Sequence, residues 1–126
     1  MSIRTLTAFA AAAILISSAA FAAAPVKQGQ STLGPVLTDE KGMTLYTFDK
    51  DMAGTSACVD ACAQNWPPLM AAGGAMAEGD YTVIKRADGS MQWAHKGKPL
   101  YLWSKDSKAG DVTGDGFKDI WHAAKP

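Results

Sequence analysis

Two cysteines, two histidines and a run of aspartates are the side chains of this sequence whose chemistry could extend beyond packing. Cys58 and Cys62 stand four residues apart. In an oxidising compartment such a pair closes a short loop, which in the chain-entropy picture stabilises a fold by about 2 kcal/mol. On a regular helix, Cβ atoms at that spacing lie about 5–6 Å apart, against about 3.5–4.5 Å in a disulfide. The pair therefore implies either a distorted turn or a strained, more reducible bond. A structural staple is the first reading; thiol redox or soft-metal chemistry is the second. Two thiolates at Cys58 and Cys62, with His95 or His122 and a thioether from Met52 or Met70, would suit Cu(I). Ala63 stands where a covalent haem site of the Cys-x-x-Cys-His type would carry histidine, which argues against haem attachment.

Asp111, Thr113, Asp115 and Asp119 place side-chain oxygens at the alternating spacing of a calcium loop, with Phe117 supplying a backbone carbonyl. Thr113 is neutral where Asp or Asn is usual, and His122 replaces the bidentate glutamate. Calcium bound here would be held weakly, and a solvated turn around Asp115-Gly116 is the simpler reading. No Gly-x-Ser-x-Gly, His-Glu-x-x-His or phosphate-loop pattern occurs. The only glutamates, Glu40 and Glu78, show no carboxylate to pair with. Catalysis is not expected.

What must position these groups is a duplicated unit. Gly42, Leu45, Tyr46, Phe48, Lys50 and Asp51 recur as Gly97, Leu100, Tyr101, Trp103, Lys105 and Asp106 at a constant offset of 55, which also carries Trp66 onto Trp121. Each copy needs the other to bury its apolar face. In a strand, Tyr46 and Phe48 share one face with Leu45 on the other, and Tyr101, Trp103 and Leu100 repeat the pattern. These aromatics, with Trp66 and Trp121, are expected to be core, their tyrosine hydroxyls bonded to nearby backbone, rather than an exposed platform for a sugar or flat ligand. Asp51 and Asp106 then fix the loops leaving each strand. Tyr81–Arg86 and Met91–His95 flank Asp88-Gly89, a hairpin signal, and a turn at Lys96–Lys98 makes a three-stranded meander. Ser56–Asn65 reads as a short helix carrying both cysteines, stopped by Pro67-Pro68. The second copy has a Gly/Asp-rich loop there, without a helical counterpart.

The segments Tyr46-x-Phe48-x-x-Asp51 and Tyr101-x-Trp103-x-x-Asp106 resemble a bacterial family of secreted repeat proteins and predicted lipoproteins named for this motif. Cys58 and Cys62 ahead of Trp66-Pro67-Pro68 are similar to its first repeat, and Gly110-Asp111 with Trp121 to its second. The resemblance implies an exported, repeat-built β domain of unestablished biochemical role. The chain departs from lipoprotein members in having no lipid-bearing cysteine after the leader.

The leader is the remaining feature. Arg4, the apolar run Leu6–Ile16 and Ala20-Phe21-Ala22 have the form of a cleavable signal peptide over residues 1–22. A flexible lead over 23–32 and one domain over 33–126 follow, with copy one about 34–70 and copy two about 89–124. Twelve basic and twelve acidic residues leave no net charge, so electrostatic nucleic-acid binding is not expected. The expectation is a mainly β, antiparallel domain of two copies with one short helix, periplasmic or secreted, with neither a lipid nor a transmembrane anchor once cleaved. Its expected role is non-catalytic binding of an envelope protein or small ligand, with thiol redox or copper handling through Cys58 and Cys62 as the alternative.

Overall fold

Period-two burial and left-handed glycines determine where the strands of this chain begin and turn. The computed structural model describes residues 24–126, so the expected signal peptide, 1–22, lies outside the described residues. Strand β1 (Lys27–Ser31) pairs antiparallel with β2 (Gly34–Thr38), with Lys27 opposite Thr38 and Ser31 opposite Gly34. The expected flexible lead is thus corrected: from Lys27 onward it is a strand. It gives no apolar alternation because both of its faces are largely solvated, and backbone pairing holds it instead. Gly29 allows the approach, since a Cβ there would lie 2.7 Å from the Thr38 methyl.

Strand β3 (Tyr46–Phe48) follows a turn in which Asp39 Oδ1 accepts the Lys41 and Met43 amides, both at 2.9 Å. After a long loop containing helix α1 (Ala61–Asn65), strands β4 (Tyr81–Lys85), β5 (Met91–His95) and β6 (Lys98–Pro99) form a three-stranded antiparallel sheet. Gly89 turns the β4–β5 hairpin with φ 87°, a conformation its missing Cβ permits. A second loop ends in an irregular 3₁₀ turn (Phe117–Asp119), and β7 (Trp121–Ala123) closes the chain.

The two copies exchange their ends. Strand β3 of copy one pairs with β7 of copy two, Tyr46 opposite Ala123 and Phe48 opposite Trp121. In the equivalent place the copy-two segment from Tyr101 pairs with the end of copy one: Leu102 N–H donates to Pro67 O at 2.7 Å and Ser104 N–H to Asn65 O at 3.0 Å. At the centre, Tyr46 and Tyr101 exchange both backbone hydrogen bonds, at 2.8 and 2.9 Å. These four segments make one ribbon with an approximate two-fold axis between the tyrosines. The same offset of 55 relates the bond from Ala124 N–H to Leu45 O (2.8 Å) to that from Leu69 N–H to Leu100 O (2.9 Å).

Alternation along the repeat strands divides the interior in two. Leu45 and Leu100 enter a cluster with Leu37, Leu69 and Trp93. Tyr46, Tyr101 and Trp103 enter another with Trp66 and Trp121. The copies therefore share both cores, as mutual burial of the repeats requires.

Candidate functional site

Each motif tyrosine is held by the aspartate of the opposite copy. Tyr46 donates its hydroxyl to Asp106 Oδ2 and Tyr101 donates to Asp51 Oδ2, each at 2.6 Å. The other carboxylate oxygens hold their own loops: Asp51 Oδ1 accepts Ala57 N–H at 2.6 Å, and Asp106 Oδ1 accepts Thr113 N–H at 3.1 Å and its hydroxyl at 2.5 Å. The sequence alone points to nearby backbone as the partner of these tyrosines. Their chief partner is instead a carboxylate remote in sequence, because strand exchange brings each hydroxyl to the far copy's loop. Tyr46 Oη does also accept Gly114 N–H at 3.3 Å.

Burial, reinforced by the hydrogen bond to a carboxylate, pushes both phenols well above the usual tyrosine range. Burial also raises the Asp51 carboxyl, against the lowering effect of Ala57 N–H, Tyr101 and the Arg86 charge. The tyrosine shifts carry a sign. The folded protein keeps protons that unfolded phenols release above about pH 10, so this stabilisation is complete below that pH and declines as pH rises through it. Alkaline titration should therefore show Tyr46 and Tyr101 ionising together with loss of tertiary circular dichroism. Two phenols ionising near pH 10 in a folded chain would contradict the arrangement.

The motif aromatics stack on one another. Phe48 lies on Trp121 with centroids 4.2 Å apart, Trp121 on Trp66 at 3.8 Å with planes 2° apart, and Trp66 on Trp103 at 3.9 Å. Tyr46 meets Trp66 edge-on at 5.4 Å, and Tyr101 meets Trp121 at 5.2 Å. The three indoles are nearly fully buried. Gly114 presses on the stack: a Cβ there would lie 2.7 Å from Trp66 Cη2 and 3.1 Å from Trp103 Cδ1.

Cys58 and Cys62 form a disulfide with Cα atoms 5.2 Å apart. The expected helix is shorter than Ser56–Asn65. It starts at Ala61 and carries only Cys62, because Asp60 takes φ 53° and turns the chain between the sulfurs. This distorted turn resolves the mismatch between helical and disulfide spacing. The loop is further held by buried Arg86, which donates to Cys58 O at 2.7 Å, Ser56 Oγ at 2.9 Å and Gln92 Oε1 at 2.8 Å. At the equivalent place in copy two, where the offset of 55 maps Cys62 onto Phe117, there is only an irregular 3₁₀ turn with Lys118 at φ 50°. Glycines and left-handed residues around it hid that turn from sequence reasoning.

The groups considered for copper are not gathered at one place among the described residues. The sulfurs are bonded to each other, His122 Nε2 lies 2.7 Å from Asp49 Oδ2, and the His95 ring centroid is 5.0 Å from that of Tyr81. Met52 and Met70 are exposed. The four proposed calcium ligands do not converge either. Asp111 closes its own turn on the Ser107 and Lys108 amides, Thr113 bonds Asp106, Asp115 Oδ1 accepts Ala123 N–H at 2.8 Å, and Asp119 sits exposed at φ 59°. Among the described residues, no group of three or more His, Cys, Asp or Glu is gathered as a metal would require.

The two unequal loops meet over the stack and leave a cleft of about 300 Å³. Cys62 and Asn65 line it from the first loop, and Lys105, Phe117 and Lys118 from the second, with Phe48 and the three stacked indoles beneath. Lys105 Nζ lies 5.7 Å from the Trp103 ring centroid and Lys118 Nζ 5.6 Å from that of Phe117. In the sequence Lys105 stands out only as the repeat counterpart of Lys50, and the place of either lysine over a ring is recognisable only once that ring is located.

The family described as a secreted repeat of unknown function matches this chain twice, over residues 27–70 and 82–125. The chain belongs to that family. Both matches begin earlier than the copies drawn from the motif, and so take in β1 and most of β4. No curated protein and no solved structure matches the chain. The secreted repeat contains, among its described residues, no helix long and apolar enough to cross a membrane.

Proposed function

We propose that this secreted repeat is a non-catalytic binding module of the cell envelope that takes its ligand in the cleft between the unequal loops. The observation that carries this reading is the lining: both loops contribute, aromatic rings form the floor, and Lys105 and Lys118 stand at the rim. That combination suits a ligand with a flat apolar body and an anionic group. The nearby reactive groups already serve the fold, the tyrosine hydroxyls on carboxylates and the sulfurs in a disulfide, which supports binding over chemistry.

Anilinonaphthalene sulfonate, flat and anionic, is a suitable probe. It is expected to bind at one saturable site and to quench the indoles, with Lys105→Gln plus Lys118→Gln weakening it by about tenfold, the equivalent of roughly one lost charge-assisted contact. Unsaturable binding, or equal affinity in the double variant, would overturn the reading.

A further inference from the structure

A second groove lies over Thr47 of β3 and His122 of β7, on the opposite face of these strands from the aromatic cleft. Alternation puts Thr47 on the Leu45 face, where it is half-buried at the end of that core, and the register sets Thr47 opposite His122. The tight β5–β6 turn brings Lys96 and Lys98 to the same place, and the chain after β7 adds Lys125. The groove encloses about 290 Å³ and is also lined by His95. An adjoining groove of about 370 Å³ shares Thr47, Asp49, Lys96 and Lys98 with it, so the surface can take more than a single ion.

A chain with no formal net charge thus gathers three of its lysines and both of its histidines along one groove. Asp49 is the one carboxylate in that lining, and His122 already contacts it at 2.7 Å. Lysines thus outnumber carboxylates in this lining, with Asp51 added in the adjoining groove. Burial, then the neighbouring Lys96 charge, lowers the His95 pKa, with Asp80 opposing. Lysines act as point charges, which suits a multiply charged tetrahedral anion better than a planar carboxylate, the usual partner of an arginine fork. Arg86, the arginine among the described residues, is not in the lining.

We propose that this groove binds a phosphoryl group, with Lys96, Lys98 and Lys125 supplying charge and Thr47 and the histidines supplying hydrogen bonds. The site is separate from the cleft proposed above and stands or falls without it. The phosphate could belong to a soluble or polymeric ligand or to a lipid headgroup, and the test distinguishes these sources.

The intact protein would be titrated with pyrophosphate and followed through backbone amide and imidazole resonances. The expected result is saturable shifts at Thr47, His95, Lys96 and His122, an affinity that falls as salt rises, and a loss of at least about tenfold in Lys96→Gln/Lys98→Gln/Lys125→Gln with an unchanged melting temperature. In parallel, sedimentation with phosphatidylglycerol vesicles, against phosphatidylcholine vesicles, identifies a headgroup if the same triple variant abolishes it. Pyrophosphate binding without vesicle binding identifies a non-lipid phosphate. Shifts that never saturate, shifts centred on Lys105 and Lys118, or binding indifferent to the triple variant would overturn the proposal.

Discussion

Trp66→Ala is expected to destabilise the protein by about 3–5 kcal/mol, the usual range for deleting a buried aromatic. For a domain of this size that is a large part of a total near 5–15 kcal/mol. The reason lies in the position of this ring. Trp66 is 3% exposed and stacks on Trp121 on one face and Trp103 on the other, with Tyr46 against it edge-on. Its removal leaves a void between indoles contributed by copy two, so the loss falls on the interface between copies. Urea unfolding should show a lower midpoint without a gain in slope. Trp121→Ala, its counterpart across the approximate two-fold axis, should cost a similar amount. A cost under about 1 kcal/mol for either would mean that the stack does not hold the copies together.

The second large effect is expected at Asp106. Asp106→Ala removes the acceptor for the Tyr46 hydroxyl and both acceptor contacts to Thr113, leaving a buried phenol with only Gly114 N–H beside it. Hydrogen bonds to a charged acceptor are worth about 1.5–3 kcal/mol, and a loss near the upper end of that range is expected in urea unfolding. Asp106→Asn should lose less, because its amide oxygen can still hold the Thr113 amide. Equal losses in the two variants would show that the carboxylate contributes nothing beyond shape.

The sequence revealed the repeat and its strands but not how they pair. Duplication was legible because the same core positions recur with the same residue types: Tyr46 and Tyr101, Leu45 and Leu100, Trp66 and Trp121. Strand exchange left little local trace, since alternation says which face a residue takes and nothing about which segment lies beside it. One clue was present. Pro67 and Pro68 lack amide hydrogens, so a segment containing them can accept bonds but not donate from those positions, which suits the outermost place in the ribbon. Strand β1 was missed because Lys27, Gln28 and Gln30 bury neither face. The loops were hardest to read, because Asp60, Lys118 and Asp119 take left-handed conformations without glycine. The cleft and the lysine groove arise from segments that meet only in the folded chain.

Crossed attachment of the copies is the central claim, and a pair of double-mutant cycles tests it most directly. One cycle combines Tyr46→Phe with Asp106→Ala, across the copies; the other combines Tyr46→Phe with Asp51→Ala, within copy one. The account predicts a coupling energy of about 1–2 kcal/mol for the crossed pair and additivity within about 0.5 kcal/mol for the other. Coupling confined to Tyr46 and Asp51 would place each tyrosine on its own aspartate and contradict the exchange.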